Sequence, residues 1–221
     1  MNATAILPVK RFARAKTRLL SDAIGPPERA ALLRAMLGDV LRAVMEVASV
    51  ERVIVVTGER RAERIALRIA REARSQLEVL QDPADPGHSE AATLGIVRAK
   101  ALGADCVALL PGDCPLLAPA ELEAALERME RGVVAVVPDR HGTGTNGLLM
   151  SPPDAIGPAF GPDSSDRHVD RAARAGWRPV LEELPSLALD LDTADDLEAL
   201  RARLAEDPGA APETAKALAE L

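Results

Sequence analysis

Apolar residues fall into two recurring patterns along the chain: short runs rich in Val, Ile, Leu and Ala, and longer stretches where they return every three or four positions. The first pattern predicts buried strands and the second amphipathic helices. The predicted strands are "TAILPV" (4–9), "RVIVVTG" (52–58), "LEVLQD" (77–82), "DCVALLPGD" (105–113) and "GVVAVVPD" (132–139). Between them, residues 26–47 place Leu33, Met36, Leu37, Val40, Leu41 and Val44 on one helical face, with Pro in the first turn as a start signal. Helices are also predicted over 59–73, from about Ser89 to Leu102, and from Pro119 to about Glu130. Residues 140–147, "RHGTGTNG", form a glycine-rich loop followed by apolar "LLM". "FGPDSSDRHVDRAARAG" (160–176) predicts a capped helix, with Asp163 or Ser164 as N-cap. "PSLALDLDTADDLEALRARLA" (185–205) predicts a strand, a turn and a closing helix.

Strands separated by helices of this length imply βαβ units, so the expected class is α/β, with a mainly parallel sheet covered by helices on both faces. No repeat or linker divides the chain. One domain over residues 1–206 is expected, followed by a loosely held tail at 207–221. In open sheets of this type ligands sit beyond the carboxyl ends of the strands. That rule gathers Asp113, the segment after the first strand and the glycine-rich loop on one rim.

Composition narrows the chemistry. One Trp, two Phe and no Tyr argue against a base-stacking platform, and a net charge of −7 disfavours a broad phosphate-backbone surface. No nucleic-acid partner is therefore expected. No apolar run reaches membrane-spanning length and the opening "MNATAILPVK" is too briefly apolar for a signal peptide, so the expected location is the cytoplasm, without a membrane partner. Cys106 and Cys114 show no disulfide or zinc pattern. Against the acidic background, residues 1–21 hold Lys10, Arg11, Arg14, Lys16 and Arg18 and no Asp or Glu. A compact positive segment in an acidic protein suits a small polyanion, although a charge run is also what a solvated loop looks like.

Asp113 ends an apolar run, where a carboxylate is costly unless paired, hydrogen-bonded or holding a metal. It also suits a plain turn before Cys114 and Pro115. In "LDLDT" (189–193) alternation puts Asp190 and Asp192 on one face of an extended strand. With Asp113 they would make an all-oxygen site for a hard cation such as Mg²⁺. Thr193 is the expected N-cap of the closing helix, with Asp195 and Asp196 in its first turn and no chemistry assigned to them. "GTGTNG" (142–147) offers backbone N–H groups, the hydroxyls of Thr143 and Thr145 and the Asn146 amide to an anion; Asn146-Gly147 alternatively marks a hairpin turn. The helix start near Ser164 is a further anion site. In "PGHSEAATLG" (86–95), Gly87 lets a ligand approach the backbone, or Ser89 simply caps its helix. His88, His141 and His168 are scattered, with exposed or capping roles as the default. The chemistry on offer is a cation plus phosphates.

"ILPVKRFARAKTRL", "LLPGDCPLL", "GTGTN" followed by "FGPDS", and "LDLDTADDL" together resemble the guanylyltransferases of deazaflavin coenzyme F420 biosynthesis, the CofC/FbiD type, in that family's order. The ending is shared with other nucleotidyltransferases, including those of molybdenum-cofactor synthesis. The resemblance implies a single-domain, Rossmann-like (GT-A-like) nucleotidyltransferase fold. It implies Mg²⁺-dependent transfer of GMP from GTP to a phosphorylated three-carbon acid, with a downstream F420 transferase as a further partner. The acid is phosphoenolpyruvate for many bacterial members, which the Ala/Arg/Leu-rich composition favours, and 2-phospho-L-lactate for archaeal ones. Carried over by motif, Asp113, Asp190 and Asp192 hold the metal and Thr145, Gly161 and Ser164, beside Asn146, hold the acid. Lys10, Lys16 and Arg18 face the triphosphate, with Lys10 and Lys16 aiding catalysis, and Gly87 and Ser89 lie near the nucleotide. The first loop here is basic and lacks glycine, and "PGHSEAATLG" stands where relatives carry a "GLNAA"-like stretch. The competing readings are a sugar-phosphate or molybdenum-cofactor-type nucleotidyltransferase and a non-catalytic nucleotide-binding module.

Overall fold

Strand side chains divide strictly between two apolar clusters, as a sheet buried on both faces requires. In strand β1 (Ala3–Val9), Ala3, Ala5 and Leu7 enter one cluster and Ile6 the other. In β2 (Val50–Thr57), Val53 and Val55 oppose Ile54 and Val56. The computed structural model describes residues 2–12, 24–85 and 87–221. Five more strands complete one sheet: β3 (Leu77–Gln81), β4 (Cys106–Leu109), β5 (Val133–Pro138), β6 (Thr145–Ser151) and β7 (Arg178–Leu181). Their order is β3-β2-β1-β4-β6-β5-β7. All neighbours are parallel except β6, which runs antiparallel to both β4 and β5.

Helices cover both faces. α1 (Pro26–Glu46), α2 (Arg60–Ala73), α4 (Pro119–Glu127), α6 (Ala194–Glu206) and α7 (Pro212–Ala219) supply the first cluster. α3 (His88–Ala101) and α5 (Ser164–Arg174) supply the second. Gly95 sets the approach of α3: a Cβ there would meet Ile6 Cγ2 at 2.3 Å, so only glycine lets the helix pack this close to β1. No helix among the described residues is long and apolar enough to cross a membrane.

Three local expectations are corrected. Residues 187–192 are not a strand. Leu187 and Leu191 are buried, but the edge position beside β5 is occupied by β7, so the segment has no ladder to join. Asn146-Gly147 is not the hairpin turn, because both residues already pair within β6 or lie in it. The turn spans 140–144, where Asp139 Oδ1 accepts from the backbone N–H of His141 (3.1 Å) and Thr143 (3.0 Å). Asp163 takes the N-cap position of α5, as expected, but in a left-handed conformation and without a side-chain cap bond, and Ser164 is already helical.

The tail is not loosely held either. The Asp39 carboxylate on α1 accepts from the backbone N–H of Glu213 (3.2 Å) and from the N–H and hydroxyl of Thr214 (both 2.7 Å), capping α7 from across the fold. Ala211, Thr214 and Leu218 are buried there. Burial pushes the Asp39 carboxyl up, against the lowering effect of those bonds.

Candidate active site

Five chain segments meet at the carboxyl rim of β1 and β4 around a cavity of about 540 Å³. Beyond β1, Val9 is pinned when Thr57 donates through its hydroxyl to the Val9 carbonyl at 2.7 Å; Lys10 and Phe12 then line the cavity. Beyond β4, Leu110 N–H extends the ladder to the Ile6 carbonyl (2.9 Å) and delivers Pro111, Gly112 and Asp113 to the same wall. Because β6 is reversed, its first residues, Thr145 and Asn146, arrive at this rim as well.

The fourth segment, residues 157–163, has no ladder of its own and is braced by side chains. Arg171 donates to the Gly157 carbonyl (2.8 Å), Arg167 to the carbonyls of Ala159 (2.9 Å) and Pro162, and Ser89 Oγ accepts from Phe160 N–H (3.0 Å). This presents Gly161, at φ +116°, where side chains are strained. The Ser164 hydroxyl lies on the cavity wall, 1 % exposed, with no hydrogen-bond partner among the described residues. A buried unsatisfied hydroxyl costs about 1–3 kcal/mol, so a ligand atom facing it would recover that energy.

The fifth segment carries Asp190 and Asp192. Asn146 Nδ2 reaches the carbonyls of Leu187 (2.8 Å) and Ala188 (3.3 Å) and the Asp190 carboxylate (3.3 Å). Asp192 N–H donates to Asp196 Oδ2 (3.0 Å), inside a capping box in which Thr193 is the N-cap, as expected. Burial would raise the Asp196 carboxyl, but bonds from Thr193 and Asp192 and the Arg140 guanidinium at 2.6 Å hold it below its usual range. Its role is to anchor the Asp192 backbone, and it leaves Asp196 no chemistry of its own.

Lys10, Asp113, Thr145, Asn146, Gly161, Ser164, Asp190 and Asp192 all line the cavity. Gly87 and Ser89 do not, although His88 between them does. Lys16 and Arg18 lie outside the described residues. The expected anion nest in "GTGTNG" is reduced, since the Thr143 N–H is taken by Asp139. Burial pushes the Cys106 thiol up to about 12, and Cys114 is fully buried, so neither is suited to nucleophilic chemistry.

The expected placement of Asp190 and Asp192 is corrected too. Asp190 and Asp192 are not alternating residues of a strand, and no group of three His, Cys, Asp or Glu among the described residues is arranged to hold an ion. The donor chemistry still suits Mg²⁺: this cation binds through one or two carboxylates and takes the rest of its shell from water and substrate phosphates. Carboxylates that line the cavity without a closed cage match an ion that arrives with a triphosphate.

His168 is the residue that sequence reasoning missed. It is fully buried behind Thr145: its Nδ1 is 3.0 Å from Thr145 Oγ1 and its Nε2 accepts from Ala159 N–H at 2.8 Å. Burial, then the charges of Arg171 and Arg167, lower its pKa to about 4. The i, i+4 spacing from Ser164 to His168 to Ala172, all buried, is the signal that marks this helix face. Phe160 stacks edge-on between His88 (centroids 4.6 Å) and His168 (5.2 Å).

Comparison with known proteins reads this site. The family described as guanylyl transferase CofC like matches residues 3–203. The chain belongs to this family. It is 45% identical over its full length, and 97% of the relative's, to the phosphoenolpyruvate guanylyltransferase of Conexibacter woesei. Among solved structures, a nucleotide-diphospho-sugar transferase from Desulfovibrio desulfuricans G20 superposes with a TM-score of 0.75 at 18% identity, covering 99% of this chain and 94% of that one. A nucleotidyl transferase from Methanothermobacter thermautotroptrophicus superposes at 0.59, with 19% identity and coverage of 92% and 98%. These two likenesses establish the Rossmann-like nucleotidyltransferase fold. As a member of the CofC-like family, the chain is a nucleotidyltransferase.

Proposed function

We propose that this enzyme joins GMP from GTP to phosphoenolpyruvate and releases pyrophosphate. The observation that carries the reading is full-length similarity to the Conexibacter protein of that name, and the cavity chemistry fits it. Carboxylates, a lysine, the Thr145 hydroxyl, the unsatisfied Ser164 hydroxyl and the Gly161 loop all line the cavity.

A phosphate monoester is mostly dianionic at neutral pH, so its oxygen attacks without a general base. The new bond joins that oxygen to the α-phosphorus of GTP. The bond from the α-phosphorus to the α,β-bridging oxygen breaks, and its electron pair leaves on pyrophosphate. The difficulty is bringing two anions together. Asp113, Asp190 and Asp192 are the residues that would hold Mg²⁺, which when bound neutralises phosphate oxygens and orients the displacement. Lys10 faces the triphosphate and favours the departing charge, with Lys16 and Arg18 assigned the same task. Thr145, Gly161 and Ser164 hold the acid. The product is passed to a downstream transferase of deazaflavin cofactor assembly.

The test is pyrophosphate release with GTP, Mg²⁺ and, in turn, phosphoenolpyruvate, 2-phospho-L-lactate and 3-phosphoglycerate, with ATP and CTP as controls and the downstream transferase added to draw off a short-lived product. Release should be fastest with GTP and phosphoenolpyruvate. Faster release with another acid or nucleotide overturns the assignment of that substrate.

A further inference from the structure

The deepest polar group near the cavity touches no solvent. His168 is fully buried, yet both ring nitrogens are engaged, one by the loop and one by β6. The Ala159 backbone N–H can only donate, so Nε2 must present its lone pair. A neutral imidazole then carries its proton on Nδ1, and that N–H points at Thr145 Oγ1, 3.0 Å away. The Thr145 oxygen is therefore an acceptor toward His168, and its own proton must be directed elsewhere. Thr145 lines the cavity.

We infer that His168 is a positioning residue that fixes the Thr145 hydroxyl as a hydrogen-bond donor to the anionic acid substrate. The inference rests on the reading of this cavity as the site of a phosphorylated acid, and it deepens that reading by assigning how acceptor selectivity is enforced. A freely rotating threonine hydroxyl offers either a proton or a lone pair. Held by an imidazole N–H from behind, it offers its proton to the cavity and favours an anion. The unsatisfied Ser164 hydroxyl, one helical turn before His168, supplies a second contact on the same wall.

The geometry that enforces this is over-determined. Arg167 and Arg171, flanking His168 on α5, are bound to the carbonyls of Gly157, Ala159 and Pro162 and so fix the Ala159 N–H that selects the tautomer. The Phe160 ring packs edge-on against the imidazole and blocks its rotation. Burial, and then the same two guanidinium groups, disfavour a second proton on the ring, which would turn Nε2 into a donor facing another donor.

Two measurements test the proposal. In ¹⁵N-labelled wild-type protein at pH 7, imidazole nitrogen shifts should show His168 as the Nδ1–H tautomer, assigned by loss of its signals in His168→Gln. The opposite tautomer overturns the proposal whatever the substrate. The second is a cycle of Thr145→Val, His168→Gln and the double variant. Gln retains an acceptor for Ala159 N–H while removing the donor to Thr145. Each single variant should raise KM for phosphoenolpyruvate roughly tenfold to a hundredfold, as for a lost bond to a charged group, and leave KM for GTP within about twofold. The double variant should be no worse than either single one. His168→Asn, which keeps a donor near the Nδ1 position, should recover part of the loss. Multiplying effects in the cycle, or equal losses for both substrates, overturn the inference while the wild type remains active. Absence of phosphoenolpyruvate-dependent turnover in the wild type overturns the substrate reading instead.

Discussion

Asn146 donates through Nδ2 to the Asp190 carboxylate at 3.3 Å, while the same nitrogen reaches the carbonyl of Leu187 at 2.8 Å. One buried amide thus holds both the backbone that presents Asp190 and the carboxylate itself. Asn146→Ala leaves the Leu187 carbonyl with only the weak Cys114 thiol donor at 3.6 Å and should cost about 1–3 kcal/mol of stability. Asn146→Asp places a second carboxylate beside Asp190 and should lower the Mg²⁺ concentration needed for half-maximal activity below that of the alanine variant, since cation affinity rises with the number of charged ligands. Thermal melts and Mg²⁺ titrations of pyrophosphate release check both; a similar Mg²⁺ requirement in the two variants would detach Asp190 from the metal.

Asp113→Asn keeps the shape of the β4 exit and removes one charge from the cavity. Turnover should fall by roughly a hundredfold or more. Pyrophosphate release at the wild-type rate would show that Asp113 holds no metal.

Ser164→Ala should separate stability from function. Removing a buried hydroxyl that lacks a partner leaves stability unchanged or raises it by up to about 1 kcal/mol. KM for the acid should rise roughly tenfold, with KM for GTP unaffected. A destabilised variant that loses both substrates equally would mark Ser164 as structural.

Stability should fall on mild acidification. The His168 pKa drops from 6.5 in the unfolded chain to about 4 in the native protein. Between those values the unfolded chain binds the proton and the native one does not, so this group's contribution, roughly 3 kcal/mol, is present above pH 6.5 and is lost as pH falls toward 4. Urea midpoints between pH 7 and 4 should decline in the wild type and decline less steeply in His168→Gln.

The strands and helices that were legible are those whose pattern is local. Ile6 opposes Ala5 and Leu7, and Leu33, Met36, Leu37 and Val40 repeat on one helix face, whatever the rest of the chain does. Asp190 and Asp192 were misplaced on a strand because Leu187 and Leu191 bury without a ladder, which alternation alone does not distinguish. The short edge strand β7 has no buried alternation to announce it. The ordered tail depends on Asp39, 175 residues from Thr214. The gathering of Asp113, Thr145, Gly161 and Ser164 on one cavity was legible through motif and turn chemistry. His168 was not, since its meaning comes from Thr145 on one segment and Ala159 on another.

The reversal of β6 carries a geometric consequence. At about 3.3 Å per residue its seven residues span roughly 20 Å. Inserted in the opposite sense, the strand would deliver Thr145 and Asn146 to the far end of the sheet, beyond reach of Asp113. A tight hairpin instead returns them within a few residues of β5, and α5 follows after the loop of residues 152–163. Under the proposed function, acceptor recognition is thereby concentrated in about thirty consecutive residues, a cassette that can be rewritten for a different acid while the β1–β4 half of the molecule stays as it is.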